Sequence, residues 1–122
     1  MNNDELFKLK LFLSQYSGIL LVLITHYVAD FVLQTRWMGE NKSKNTTAML
    51  AHIFVYTAVI SIFGIKFAVI NGILHLFTDL ISSKLSGRAY VNKNMGQFWD
   101  VIGMDQLIHT LTLILTYVAF GK

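Results

Sequence analysis

The chain has 122 residues, of which 54% are hydrophobic and only 14% are charged, whereas roughly 25% of the residues of a soluble domain are charged. It contains no cysteine, which excludes a disulfide framework, a cysteine nucleophile and a thiolate metal site. The formal net charge is +3, and charges are nearly absent from four apolar stretches. The sequence therefore predicts an integral membrane protein and no nucleic-acid partner.

The first apolar stretch covers about residues 17–38. This is long enough for one span, because crossing a bilayer core takes roughly 20 helical residues. The preceding segment, residues 4–16, mixes apolar side chains with Lys8 and Lys10. We expect it to form an interfacial helix or an extension of the first span.

The apolar stretch between residues 47 and 83 is too long for one span and must turn once. A turn at residues 64–66 lets Lys66 reach the headgroups. A turn at Asn71-Gly72 uses the better turn dipeptide, but it leaves a third segment too short to cross. We therefore expect spans at about residues 48–64 and 66–83, and a fourth at about 101–120.

Four spans place loops 39–46 and 84–100 on one side of the membrane, called here the loop face, and both termini on the other. The loop face carries Arg36, Lys42, Lys44, Lys84, Arg88 and Lys93, and the opposite face carries Lys8, Lys10, Lys66 and Lys122. This excess of basic residues favours a cytoplasmic loop face by a small margin.

All four histidines lie in predicted spans, and three of them are four residues from an aspartate. Residues four apart share one face of a helix. Counted from the loop face at about 1.5 Å per residue, the histidines and their aspartates fall within a slab roughly 10 Å thick. The sequence thus predicts a single all-α domain, an integral membrane four-helix bundle with a polar His/Asp interior formed by His26, Asp30, His52, His75, Asp79, Asp105 and His109.

A divalent metal explains this cluster best, because ionisable groups at membrane depth are costly unless they are compensated. Imidazole and carboxylate groups suit zinc, iron or manganese, and seven candidate ligands allow one metal ion or two bridged by a carboxylate. We expect Asp30 or Asp105 to act as a general base. A metal-free proton or ion pathway and purely structural polar contacts remain alternatives.

The basic loop residues have two interpretations. They are topology determinants beside anionic lipid, or Arg36, Arg88 and Lys93 receive an anionic amphipathic substrate above the site. Gln106 is expected to hydrogen-bond between helices, and Tyr56 is expected to pack. Membrane lipids are the predicted partners, and oligomerisation is left open.

Four blocks of sequence carry a family resemblance: HYVADFVLQTRWM, AHIFVYT, HLFTDL and DQLIHTLTL. Over about residues 26–115 they resemble small bacterial and phage membrane proteins grouped as domain of unknown function 3307. The resemblance implies a multi-pass protein of a bacterial inner membrane or of phage origin, and it implies no activity. A looser similarity is to membrane-embedded metal-dependent hydrolases, which also set His and Asp on transmembrane helices.

The leading functional hypothesis is a metal-dependent membrane hydrolase that acts on an amphipathic ester or phosphoester near the cytoplasmic face. A transporter or relay for a metal ion or proton would use the same His/Asp cluster. A membrane anchor or interaction module is the second alternative.

Overall fold

The computed structural model describes residues 1–120 and is helical throughout apart from short connections. Its long helices are α1 (Asn3–Tyr27, continued as a π-helical segment, Val28–Val32), α3 (Thr46–Ile60), α4 (Ile65–Val91) and α5 (Met95–Phe120), with a short α2 (Arg36–Asn41) between α1 and α3. Helix α3 continues as a short 3-10 helical turn, Ser61–Phe63. Four segments are long and apolar enough to cross a membrane: Asn3–Val32, Thr46–Phe63, Ile65–Val91 and Met95–Phe120. The predicted all-α bundle of four apolar helices is confirmed. Lys122, expected on the face opposite the loops, lies outside the described residues.

Helix α1 begins at a capping box. The Asn2 side chain accepts from the Glu5 amide at 2.8 Å, and the Glu5 carboxylate accepts from the Asn2 amide at 3.0 Å. The helix then runs unbroken to Tyr27, so residues 4–16 extend the first span and do not form a separate helix. Residues 1–17 are all exposed.

The first helical segment ends earlier than the sequence predicts, at Val32 instead of residue 38. Thr35 is the reason: its backbone is extended and its hydroxyl accepts from the Met38 amide at 3.2 Å, which starts α2. Trp37 and Met38 therefore belong to α2 on the loop face.

The turn between α3 and α4 lies at Gly64, as predicted, and not at Asn71-Gly72. Gly64 has φ = 122°, a conformation that side-chain-bearing residues rarely adopt. Asn71 stays helical, and its amide donates to Thr116 Oγ1 at 2.8 Å, joining α4 to α5. Lys66 lies at the start of α4 with its ammonium 4.8 Å from the centre of the Phe120 ring.

The sequence predicts a loop over residues 84–100, and this prediction is wrong, because most of these residues are helical. Helix α4 continues to Val91 and α5 begins at Met95, so only residues 92–94 connect them. Small side chains permit this continuation: Ser83, Ser86 and Ala89 are buried against the neighbouring elements. Lys84 and Arg88 are accordingly helical residues.

An apolar core fills the half of the bundle away from the loop face. Ile60, Phe67 and Leu113 are almost fully buried there and pack with Val22 and Ala68. Small residues bring α3 and α4 close together, since a Cβ added to Gly72 would collide with the Thr57 side chain. This packing closes the bundle below the polar groups.

The antiparallel order of the helices predicts which positions face the same side of the membrane. Because the chain has no cysteine, single cysteines can report accessibility without background. In sealed vesicles, Lys44→Cys and Asn92→Cys should react with an impermeant maleimide from one side, and Asn3→Cys from the other. Reaction of the first two from opposite sides would contradict the bundle.

Candidate metal centre

All seven predicted site residues are buried in one cluster, each with at most 7% of its surface exposed. Helix α1 and its π-helical segment contribute His26 and Asp30, and α3 contributes His52. The remaining four come from α4 and α5, and they are His75, Asp79, Asp105 and His109. The predicted convergence of the four helices on a His/Asp cluster is confirmed.

Asp30 owes its position to a local irregularity in the helix. It lies in the π-helical segment Val28–Val32, where the Leu33 amide donates to the Val28 carbonyl at 2.9 Å. A π-helical turn contains about one more residue than an α-helical turn, and such turns are frequent at functional sites. The widened turn places Asp30 Oδ1 next to both His52 and His75.

Four ligand atoms meet at one point: His52 Nε2, His75 Nε2, Asp30 Oδ1 and Asp79 Oδ2. The two imidazole nitrogens are 2.9 Å apart. They lie 3.2 and 3.3 Å from Asp30 Oδ1, and 3.3 and 3.6 Å from Asp79 Oδ2. We call these four atoms the donor set.

The spacing of the donor set is compatible with metal coordination. Metal–ligand bonds of about 2.0–2.1 Å require ligand atoms about 3.3 Å apart at the corners of a tetrahedron. The measured distances of 2.9–3.6 Å surround that value. The donor set could therefore hold a divalent metal ion.

A second group adjoins the donor set and shares residues with it. His109 Nε2 lies 3.0 Å from Asp79 Oδ1 and 3.3 Å from Asp105 Oδ1, and Asp30, Asp105 and His109 can also converge on one point. The two oxygens of Asp79 thus face different groups. A second metal here would be bridged to the first by Asp79 or Asp30.

His26 differs from the other histidines because both of its ring nitrogens are hydrogen-bonded outside the donor set. Its Nε2 donates to Gln106 Oε1 at 3.1 Å, which leaves Nδ1 to accept from the Tyr56 hydroxyl at 3.0 Å. Its Nε2 is 3.9 Å from Asp30 Oδ2. The structure places His26 beside the metal groups but in neither of them.

Gln106 and Tyr56 hold the cluster in place. The Gln106 amide donates to Asp30 Oδ2 and to Asp105 Oδ2, both at 3.0 Å, so it joins α1 to α5 as predicted. Tyr56 does more than pack: besides its bond to His26, its ring stacks on that of His75 with centroids 3.9 Å apart. These contacts orient side chains whose rotation would otherwise disperse the donor set.

Lys42 is a site residue that the sequence does not single out. Its Nζ lies 2.9 Å from Asp79 Oδ2, an atom of the donor set. Lys44, two residues further on, is exposed and makes no ion pair among residues 1–120. Both are loop lysines in the sequence, and only the fold of the connection between α2 and α3 distinguishes them.

The charges of the cluster support a dication. The cluster contains three carboxylates, of Asp30, Asp79 and Asp105, and one ammonium, of Lys42. Histidines that ligate a metal are neutral. A divalent ion would offset the excess of carboxylates over cations in these apolar surroundings.

A cavity of about 640 Å³ leads from the loop face to this cluster. Asp30, Asp105 and Gln106 lie at its inner end, and Lys42 and Lys44 lie along its wall. Its size and polar lining suit a small polar ligand or headgroup.

The three predicted substrate residues lie away from this cavity. Arg36 donates to Glu40 at 2.7 Å on the surface, a hydrogen bond that raises the pKa of the guanidinium. Arg88 lines a neighbouring groove, and Lys93 lies in the turn between α4 and α5 with φ = 56°. Their role in substrate binding stays a prediction, while Lys42 is the basic residue nearest the cluster.

Residues 19–122 match the family described as "Protein of unknown function (DUF3307)", and the chain belongs to that family. The resemblance seen in the sequence is thereby confirmed. No curated protein and no solved structure matches the chain. Any account of its function therefore depends on the chemistry of its own residues.

Metal content should separate the donor set from its neighbours. We expect the purified protein to carry about one equivalent of a divalent metal, and His75→Ala to lose most of it because one of four ligands is gone. His26→Ala should retain it. Elemental analysis of detergent-purified protein, with thermal unfolding to confirm folding, makes the comparison.

The aspartates provide a matched control for this experiment. Asp79→Asn keeps the shape of the side chain and removes one charge, and it should lose metal, whereas Asp100→Asn on the exposed start of α5 should not. Equal metal loss from His26→Ala and His75→Ala, or from both aspartate variants, would contradict the assignment of the donor set.

Lys42 should weaken metal binding in the wild-type protein, because its ammonium takes up space beside Asp79 and would repel a metal cation. Lys42→Met should tighten metal binding about tenfold or more, since like charges a few ångströms apart repel strongly in apolar surroundings. Competition with a chelator of known affinity measures this change. Lys44→Met, which removes the same charge from an exposed position, should leave the affinity unchanged, and weaker binding by Lys42→Met would refute the expected repulsion.

Proposed function

We propose that the protein is a membrane-embedded metal-dependent hydrolase that acts on an amphipathic ester or phosphoester close to the loop face. One observation carries this proposal: Asp30, a residue of the donor set, and Asp105 both line a polar cavity that is open to the loop face. A catalytic metal site keeps a position for water or substrate, or expands to five ligands during the reaction, and the cavity gives such a further ligand access from the loop face. The excess of basic residues on the loop face makes it the cytoplasmic side of a bacterial membrane in this proposal.

The proposed metal is one divalent ion held by His52, His75, Asp30 and Asp79. Zinc suits a tetrahedral set of nitrogen and oxygen ligands best, and iron or manganese also accept these ligands. When bound, such an ion acts as a Lewis acid that activates water and polarises a carbonyl or phosphoryl oxygen.

Asp105 is the proposed general base. It reaches the cavity, and both of its oxygens are held: Ser82 donates its hydroxyl to Oδ1, and Gln106 donates its amide to Oδ2. A carboxylate fixed in this way can accept a proton from water at the cavity end without first reorienting. Asp30, the other predicted base, is better suited as a ligand, since its Oδ1 belongs to the donor set.

Lys42 would position the reacting group of the substrate. It lines the cavity and contacts Asp79, so an anionic or carbonyl oxygen that enters from the loop face meets its ammonium next to the donor set. A fixed cation at this point favours phosphoesters and anionic esters over neutral solutes.

An apolar groove provides room for the hydrophobic part of the substrate. It lies between α4 and α5, has a volume of about 280 Å³, and is lined by Phe77, Ile81, Leu85, Met104 and Ile108. Asp105 borders both this groove and the polar cavity. A substrate could therefore place its polar group in the cavity and its alkyl chain in the groove, and the bond between these two parts would then lie beside Asp105.

Transport through the bundle is less well supported. The half away from the loop face is filled by the apolar core, in which Ile60 and Phe67 are fully buried. A proton or ion pathway needs polar groups across the whole bilayer. In the described part of that half, the buried contact between Asn71 and Thr116 joins two side chains that are not ionisable. Helix α4 is also unbroken at Asn71-Gly72.

Hydrolysis can be tested with the zinc-loaded protein in lipid nanodiscs. We expect it to cleave a long-chain p-nitrophenyl ester or alkyl phosphoester and to lose this activity on chelation. Asp105→Asn should keep its metal and lower kcat by about 10²–10⁴-fold, the usual contribution of a positioned base. Asp100→Asn is the control for charge loss on the same helix. Asp105→Asn with unchanged kcat, or activity that chelation leaves intact, would refute the proposal.

A further inference from the structure

A second surface feature lies outside the metal centre, where the connection between α2 and α3 meets the last turns of α4. It is a groove of about 400 Å³ whose walls include Lys44, Lys84, Arg88 and Ser43. It continues into an apolar slot of about 360 Å³ between α3 and α4, which shares Lys44 and Lys84 with it. We call the two together the α3–α4 groove.

The basic residues of this groove have no counter-ion in the part of the chain that the structure describes. Within residues 1–120, neither Lys44, Lys84 nor Arg88 makes an ion pair, whereas Arg36 is paired with Glu40 and Lys42 with Asp79. No carboxylate contributes to the walls of the groove in the described part of the chain. Three positive charges that converge without a partner attract a multivalent anion such as a phosphate group.

The apolar slot determines which kind of phosphate fits. Leu50, Leu76, Leu80 and Met49 line it, and Leu50 and Leu80 are 54% and 37% exposed on the outer surface of the bundle. In a membrane that surface faces acyl chains. A free phosphate would contact only the basic part of the groove, whereas a phospholipid would place its headgroup among the basic residues and one chain along the leucines.

We propose that the α3–α4 groove binds one phosphate-bearing anionic membrane lipid. This site requires no metal and is separate from the proposed hydrolytic activity. Ser43 and Lys44 also form part of the wall of the metal cavity, so a lipid bound here would hold in place the segment that carries Lys42. Lipid bound at this site would therefore affect the geometry of the cavity entrance.

Thermal unfolding of the purified full-length protein in neutral detergent tests this site. Phosphatidylglycerol should raise the melting temperature in a saturable way, and neither phosphatidylcholine nor inorganic phosphate should do so at the same concentration. Lys84→Gln/Arg88→Gln should bind phosphatidylglycerol about 30-fold more weakly, because each basic side chain near an anionic surface contributes about fivefold. Both residues are exposed, so the variant should fold.

A matched double variant controls for general attraction between a basic protein and an anionic lipid. Lys8→Gln/Lys10→Gln removes the same charge from the exposed start of α1 and should keep the wild-type affinity. Equal weakening of both double variants, or equal stabilisation by phosphatidylcholine, would overturn the site. Stabilisation by inorganic phosphate equal to that by phosphatidylglycerol would overturn its assignment to a lipid.

Discussion

The constraint on which the rest of the structure depends is the burial of three carboxylates inside an apolar bundle. Asp30, Asp79 and Asp105 are each at most 7% exposed, and charged groups in such surroundings must be neutralised by partners or by a metal. Each of them contacts at least one imidazole. The positions of the four histidines, of Lys42 and of Gln106 follow from this requirement.

The two halves of the bundle differ in the side chains that fill them. In the half away from the loop face, Ile60, Phe67 and Leu113 form a buried apolar core. In the half near the loop face, polar side chains replace this packing. There, specific hydrogen bonds hold the helices at fixed positions, as in the contact of Gln106 with both Asp30 and Asp105. The polar half can adopt a defined geometry because the apolar half holds the helices together.

The basic residues of the loop face also divide into classes that have different surroundings. Lys42 contacts the buried Asp79, and Arg36 is paired on the surface with Glu40. Lys44, Lys84 and Arg88 line the α3–α4 groove and make no ion pair within the described residues. A count of positive charges, which serves to predict topology, treats all of these residues alike. Their individual environments indicate separate roles: compensation of buried charge, local surface pairing and attraction of anionic lipid.

The sequence by itself determined the class of the fold and the composition of the cluster. Hydropathy identified four apolar helices, and the spacing of four residues in three His/Asp pairs placed their side chains on single helix faces at one depth, because helical periodicity is a local property. Only the tertiary structure decided which of these side chains belong to the donor set and which lie beside it. Both ring nitrogens of the buried His26 are hydrogen-bonded to Tyr56 and Gln106 and not to the donor set. Lys42 contacts Asp79. Helices α4 and α5 extend through a segment whose polarity suggested a loop. These outcomes depend on contacts between residues far apart in the chain, such as Gln106 with Asp30, and such contacts leave no periodic signal in a single sequence.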